Sequence, residues 1–283
     1  MIKKISSTAA LFIAVCFFAT AQNNSSAKGN LFIIGGGDRT DGLVKSLLQT
    51  AGLSSKDYIA ILPMSSAEPD SSYFYIKSDL EKWCSNYIAF LNFTRAQTSD
   101  KTRLDSVKNA KLIFITGGDQ ERFMKVVLHT PLYNVIHEAY ENGSTISGTS
   151  AGAAVMSKYM VTGNQLRGDT IYHSTFDRLW DKNVEFHEGL GLLDSVIIDQ
   201  HFIVRSRYNR MLSALAAFPT FTCVGIDEST AIVVHHKEVK IVGESQVIVM
   251  REPEHLQIDN KGLIKFSDAK MSIYTAGDHF KIP

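Results

Sequence analysis

The run Gly148-Thr149-Ser150-Ala151-Gly152 fits the pattern G-x-S-x-G, in which a serine sits among residues too small to obstruct it. A nucleophilic serine needs a sharp, strained turn between a strand and a helix, and small neighbours let the surrounding backbone pass close by. Residues 143–147 read as that strand and 151–159 as that helix, which places Ser150 at the turn. The helix start would aim backbone N–H groups at a developing oxyanion, with Ala151 the nearest donor. The motif alone arises often by chance, and a Gly/Ala-rich helix start also serves close packing. The strand–turn–helix setting is what favours chemistry.

A serine nucleophile needs a base, and the base needs an orienting group. Of nine histidines, His201 is the one that directly follows an apolar strand-like run, 195–198, in Asp199-Gln200-His201. A capping Asp199 with an incidental histidine is the competing view. The next strand-like run, 222–226, ends in Asp227-Glu228, so two carboxylates reach the same sheet edge. Either could hold the imidazole, leaving the other to cap the following turn.

Two glycine loops follow earlier strands. Gly35-Gly36-Gly37-Asp38 suggests a dinucleotide site, but G-x-G-x-x-G would need Gly or Ala where Thr40 stands, and no P-loop lysine follows. These glycines are expected to form a tight turn near the site instead. In Gly117-Gly118-Asp119-Gln120, Gly118 is a candidate second oxyanion donor and Gln120 a candidate donor to a substrate carbonyl. Beyond His201 stand Arg205, Arg207 and Arg210. Read as one helix, Arg205 shares the face of His201, and Arg207 and Arg210 share another. Arginine clusters are usually solvated, but three beside a candidate base suit carboxylate recognition. Neither H-E-x-x-H nor C-x-x-C occurs, and no cofactor or metal is called for.

Positioning such loops requires a sheet whose strands end together. Strand-like runs at 31–34, 58–62, 111–116, 143–147, 195–198 and 222–226 alternate with helix-like stretches at 41–49, 73–82, 120–127, 132–141 and 151–159. That alternation predicts an α/β fold with a mainly parallel sheet and helices on both faces, in which function collects at the strands' C-terminal ends. After residue 230, short apolar runs (231–234, 239–242, 246–250) separated by polar turns predict antiparallel strands added to that sheet. With no repeat or Pro-rich hinge, residues 28–283 are expected to form one domain.

Lys+Arg and Asp+Glu are both 29 among 283 residues, so no overall field points to nucleic acid. Lys3 and Lys4, an apolar run over 9–19 and Ala19-Thr20-Ala21 predict a cleaved export signal at 1–21 and a periplasmic or extracellular product. The run is too short to span a bilayer comfortably, so no stable membrane insertion is expected. Cys84 and Cys223 remain after cleavage; Cys223, in an apolar run, reads as a buried free thiol.

Taken in order, these loops resemble cyanophycinases, members of the S51 serine peptidases that also include aspartyl dipeptidases. The matching stretches are Ile33-Ile34-Gly35-Gly36-Gly37, Phe114-Ile115-Thr116-Gly117-Gly118-Asp119-Gln120, Gly148-Thr149-Ser150-Ala151-Gly152-Ala153-Ala154, Asp199-Gln200-His201-Phe202 and Gly225-Ile226-Asp227-Glu228. The resemblance implies a fold similar to class I glutamine amidotransferases and a triad of Ser150, His201 and Glu228. It also implies a pocket lined by Gln120, Asp199, Gln200, Arg205, Arg207 and Arg210, and hydrolysis of cyanophycin to β-Asp-Arg dipeptides. An aspartyl or isoaspartyl peptidase with another substrate, and an exported binding protein without turnover, are the alternatives; a homodimer is left open. The family's commonest glycine loop has Asn where Asp119 stands, and the stretch 163–189 matches no motif.

Overall fold

The computed structural model describes residues 27–167 and 176–283. The expected export signal at 1–21 lies outside the described residues, as does the middle of the unmatched 163–189 stretch. The first half of the chain alternates strand and helix: β1 (Asn30–Ile34), α1 (Asp41–Ala51), β2 (Tyr58–Leu62), α2 (Pro69–Glu81), β3 (Tyr87–Phe90), α3 (Lys101–Lys108), β4 (Leu112–Ile115), α4 (Gln120–Val127), α5 (Pro131–Asn142) and β5 (Thr145–Thr149). One helical turn, α6 (Ala151–Ala154), and a hairpin of β6 (Tyr159–Gln165) and β7 (Val184–Glu188) come next. Then follow β8 (Val196–Gln200), α7 (Tyr208–Ala217), β9 (Thr222–Ile226), β10 (Thr230–His235), β11 (Glu238–Gly243) and β12 (Val247–Glu254). The end of the chain adds β13 (Gln257–Ile258), β14 (Ile264–Lys265), β15 (Asp268–Tyr274) and β16 (His279–Lys281).

The main sheet has the order β16-β11-β10-β1-β5-β4-β2-β3. Its five strands from β1 to β3 are parallel, and β10, β11 and β16 extend it antiparallel. Successive side chains of a strand point to opposite faces, and the strand residues divide accordingly. Phe32, Ile34, Ile59, Ile61 and Phe114 pack against Leu43, Leu47, Ile76 and Leu80 of α1 and α2. Leu31, Ile33, Ala60, Ile113 and Ile146 pack against Val107, Phe123, Val127 and Ile136 of α3, α4 and α5. Both faces are therefore covered by helices, as a parallel sheet requires.

Not every strand joins this sheet as expected. β8 and β9 pair in parallel with each other and form a second sheet of order β15-β12-β9-β8, which takes in the 246–250 run as β12. The reason is occupancy of β1: β5 holds one edge and β10 the other, leaving none for β8. The two sheets nevertheless meet at the site, because the amide of Gly35, just past β1, donates to Thr230 O and its carbonyl accepts from His201 N at 2.7 Å.

The helix expected over 151–159 is also shorter. It stops after Ala154 because the carbonyls that would continue it are taken from outside: Leu190 N donates to Val155 O and Leu193 N to Met156 O. Ser157 is fully buried, and its Oγ accepts from Ile198 N. Cys84 and Cys223 are both free, and burial pushes the Cys223 thiol up to about 12.

Candidate active site

Ser150 sits between β5 and α6 at φ 54° and ψ −112°, a conformation L-residues avoid. Three contacts hold it there. Its N–H donates to Ile34 O at 3.1 Å, and its carbonyl accepts from Ala153 N and Ala154 N. Gly148 and Gly152 supply the room: a Cβ on Gly148 would lie 2.1 Å from Gly152 O, so a larger residue would push the helical turn off the strand.

His201 follows β8, also with positive φ (51°), anchored by its N–H on Gly35 O. Its Nε2 lies 2.8 Å from Ser150 Oγ, and its Nδ1 lies 2.5 Å from Glu228 Oε1. An ionised carboxylate only accepts, so Nδ1 carries the proton and Nε2 is left to accept from the serine hydroxyl. Burial lowers the His201 pKa below its ordinary value, with Arg205 and Arg207 adding to the depression and the Glu228 hydrogen bond opposing it. The imidazole is therefore neutral at neutral pH, the state a base needs.

The two adjacent carboxylates divide their work. Glu228 faces His201, whereas Asp227 caps not the turn that follows it but the turn after His201: its Oδ1 accepts from Ile203 N and Val204 N, and its Oδ2 from Ser245 Oγ. Gly36 and Gly37 make this meeting feasible. With φ of 113°, a Cβ on Gly36 would stand 2.2 Å from the His201 ring, and one on Gly37 would stand 2.6 Å from Glu228 Cβ. The first glycine loop thus cradles the histidine and glutamate, as expected of a tight turn near the site.

The arginine cluster differs from its expected form. Residues 201–207 are turns, and the helix begins only at Tyr208, so Arg205 and His201 share no helical face. Arg205 is exposed, while Arg207 and Arg210 are buried and converge on Asp199. Arg210 Nε donates to Asp199 Oδ2 at 2.8 Å, its Nη2 donates to Oδ1, and Arg207 Nη1 reaches Oδ1 at 3.3 Å. Gln200 joins them, its Oε1 accepting from Arg207 Nη1 at 3.0 Å. A carboxylate this deep is held only by such pairing.

Gln120 is spent on structure as well. Its Nε2 donates to Val161 O and Thr162 O at 2.8 and 2.9 Å, fastening β6 to the start of α4. Gly118 packs on the backbone of Ser65, whose carbonyl accepts from Asp119 N, and the neighbouring Gly117 packs against Ser150 Cβ. Asp119 caps α4 through Glu121 N and Arg122 N, the structural job open to it in place of the commoner Asn.

A cleft of about 270 Å³ opens beside Ser150 and His201, lined also by Gly36, Gly37, Arg39, Ser72, Tyr75, Ile76, Gly117 and Thr149. Arg39 and the α2 residues carry no motif, so nothing in the sequence marked them. Among the described residues one trio of metal-ligand type, Glu121, Glu185 and His187, brings its atoms within 4.8 Å, on α4 and β7. It serves as a clamp: His187 Nδ1 bonds Glu121, and Glu185 accepts from Thr162 Oγ1 and Asn164 Nδ2.

Comparison with known proteins agrees with this architecture. The chain is 30% identical over 272 residues to a cyanophycinase from a Nostoc species, covering 91% of this chain and 87% of that protein. It is 32% identical over 249 residues to a cyanophycinase from Geminocystis herdmanii, covering 85% and 87%. A more remote relative, peptidase E of Pasteurella multocida, is 25% identical over 173 residues, 58% of this chain and 66% of that one. Among solved structures, a peptidase from an acI-B1 Actinobacterium superposes with a TM-score of 0.64 over 90% of this chain and 97% of its own, at 21% identity, so the two share this α/β fold. The model of peptidase family S51 matches residues 31–242, the span that carries Ser150, His201 and Glu228, and the chain belongs to that family of serine-type peptidases.

Proposed function

We propose that the chain is an exported peptidase of the cyanophycinase type, cleaving aspartyl peptide bonds through Ser150, His201 and Glu228. The observation that carries this is the unbroken hydrogen-bonded line from Ser150 Oγ through His201 to Glu228, at 2.8 and 2.5 Å. In this mechanism His201 Nε2 takes the Ser150 proton as Oγ adds to the scissile carbonyl. Glu228 stabilises the imidazolium, and the N–H groups of Ala151 and Gly118 hold the oxyanion. The imidazolium then protonates the leaving amine as the C–N bond breaks. Water, deprotonated by the same imidazole, hydrolyses the acyl-serine and restores the enzyme.

The relatives named cyanophycinase favour cyanophycin as substrate, with β-Asp-Arg as product. On this proposal Asp199, Gln200, Arg207 and Arg210 form a buried supporting network, Gln120 ties α4 to the β6–β7 hairpin, and Arg205 is an exposed cation near His201. Export rests on Lys3, Lys4, the apolar run and Ala19-Thr20-Ala21. N-terminal sequencing from the native host should begin near Gln22; bulk protein starting at Met1 would refute export.

Ser150→Ala should fold normally and lose activity by roughly 10⁴-fold or more, as expected where a triad acts as a unit. A serine-reactive phosphonate should add its mass at Ser150. Turnover by the alanine variant at the wild-type rate would overturn the proposal.

A further inference from the structure

We infer, on the peptidase proposal for this site, that Arg39 reads a carboxylate on the substrate beside the scissile bond, with Asp79 as its positioning residue. Among the described residues lining the cleft of Ser150 and His201, Arg39 is the one side chain with a permanent charge. It stands in the loop between β1 and α1, just before Thr40, the N-cap of α1. From there it crosses to α2, where its Nε donates to Asp79 Oδ2 at 2.9 Å. Lys82 Nζ, 3.2 Å from Oδ1, steadies the same carboxylate. Both members of the Arg39–Asp79 pair are largely withdrawn from solvent, each 19% exposed.

A guanidinium is planar, so a bond at Nε fixes the whole group while the edge formed by its two Nη groups keeps its donors. Among the described residues those Nη groups make no other hydrogen bond, and that edge matches the two oxygens of a carboxylate. A guanidinium serving only to strap the loop to the helix has no need to line the cleft, as Arg39 does.

The helix it reaches is built to the same end. Ser72, Tyr75, Ile76 and Asp79 are spaced as one face of α2, and the first three line the cleft. Tyr75 is 70% exposed on that face. An aromatic ring left uncovered beside a fixed cation gives a flat wall for the substrate's own planar groups.

The test uses the full-length protein and matched β-Asp-Arg oligomers whose arginine α-carboxylate is either free or amidated on each residue flanking the scissile bond. Wild-type enzyme should prefer the free carboxylate at one of the two positions. Arg39→Gln should reduce the free:amidated ratio of kcat/KM roughly 10- to 100-fold, chiefly through KM, as loss of a charge-assisted contact implies. Arg39→Lys should keep part of the preference, and Asp79→Asn should lose part of it by freeing the guanidinium plane. Phosphonate labelling of Ser150 reports that each variant is folded. A free:amidated ratio unchanged in labelled Arg39→Gln, or wild-type enzyme that cleaves free and amidated oligomers alike, would overturn the assignment while leaving the peptidase proposal intact. Wild-type protein that neither labels at Ser150 nor cleaves any peptide would instead defeat the peptidase proposal, and this assignment with it.

Discussion

Gly36 and His201 approach so closely that a single added methyl would stand 2.2 Å from the imidazole Cε1. The base is thus held by van der Waals contact with backbone as well as by Glu228 and Ser150. Gly36→Ala must push the ring aside, and at φ 113° the alanine is itself strained. Displacement of about 1 Å costs on the order of 10²-fold in rate. Steady-state kinetics of Gly36→Ala should show that loss mainly in kcat. An alanine variant with wild-type kcat would mean that the ring has room the structure does not give it.

Asp227 and Glu228 should fail in different ways when neutralised. Glu228→Gln removes the charge that stabilises the imidazolium and should cut kcat severely, with little change in melting temperature. Asp227→Asn disturbs three hydrogen bonds to a buried cap and should cost about 1–3 kcal/mol of stability, with a milder kinetic effect. Thermal melts and kinetics on the pair separate the roles. The opposite pattern would give Asp227 the imidazole.

The pH profile follows from the depressed His201 pKa. The active form has a neutral imidazole, so activity is full above the folded pKa and lost as pH falls through it. Because burial moves that pKa below the ordinary value of about 6.5, the acid limb of kcat/KM should have its midpoint below that figure. In Glu228→Gln the limb should move lower still, since the glutamate is the contact that raises the pKa. A midpoint above about 7 would contradict the burial of this histidine.

Much of this site was legible because its chemistry imposes local patterns. G-x-S-x-G needs its strand and turn, and Ser150 has both; Asp199-Gln200-His201 is expected just past a strand, and in the fold Asp199 and Gln200 end β8 while His201 follows it. What escaped was set by contacts distant in sequence. Nothing local shows that residues 189–193 capture the carbonyls that would lengthen α6, or that β10 closes the edge of β1 against β8. β3 was missed because it is an edge strand whose Tyr87 and Phe90 face solvent, which blurs the apolar run. Asp227 and Glu228 are adjacent and alike, and only the backbone geometry after β9 decides which one meets His201.

The cysteines make a chemical test of the core. Cys223 is fully enclosed beside Asp199, and burial raises its thiol to about 12. A thiolate is the reactive form, so Cys223 should resist alkylation in the native state at neutral pH. Cys84, half-buried and raised less far by its burial, should react sooner. Mass mapping after iodoacetamide treatment, native against denatured, should find Cys223 modified only on unfolding. Rapid native labelling would indicate that the β9 region opens locally.

Asp199 offers the sharpest separation of structure from recognition. It is 3% exposed and accepts from both Arg207 and Arg210. Taking away one member of such a buried ionic group leaves charge without compensation, at a cost of about 3–5 kcal/mol. Asp199→Asn should therefore lower the melting temperature by on the order of 10 °C. Arg205→Ala, on the exposed side, should leave it within about 2 °C, because surface changes are nearly neutral. If Asp199 served chiefly to meet substrate, Asp199→Asn would melt like wild type and lose only binding. Calorimetry on the two variants, alongside KM for an aspartyl peptide, decides between these. A normal melting temperature for Asp199→Asn would remove the network from the scaffold and assign it to the substrate.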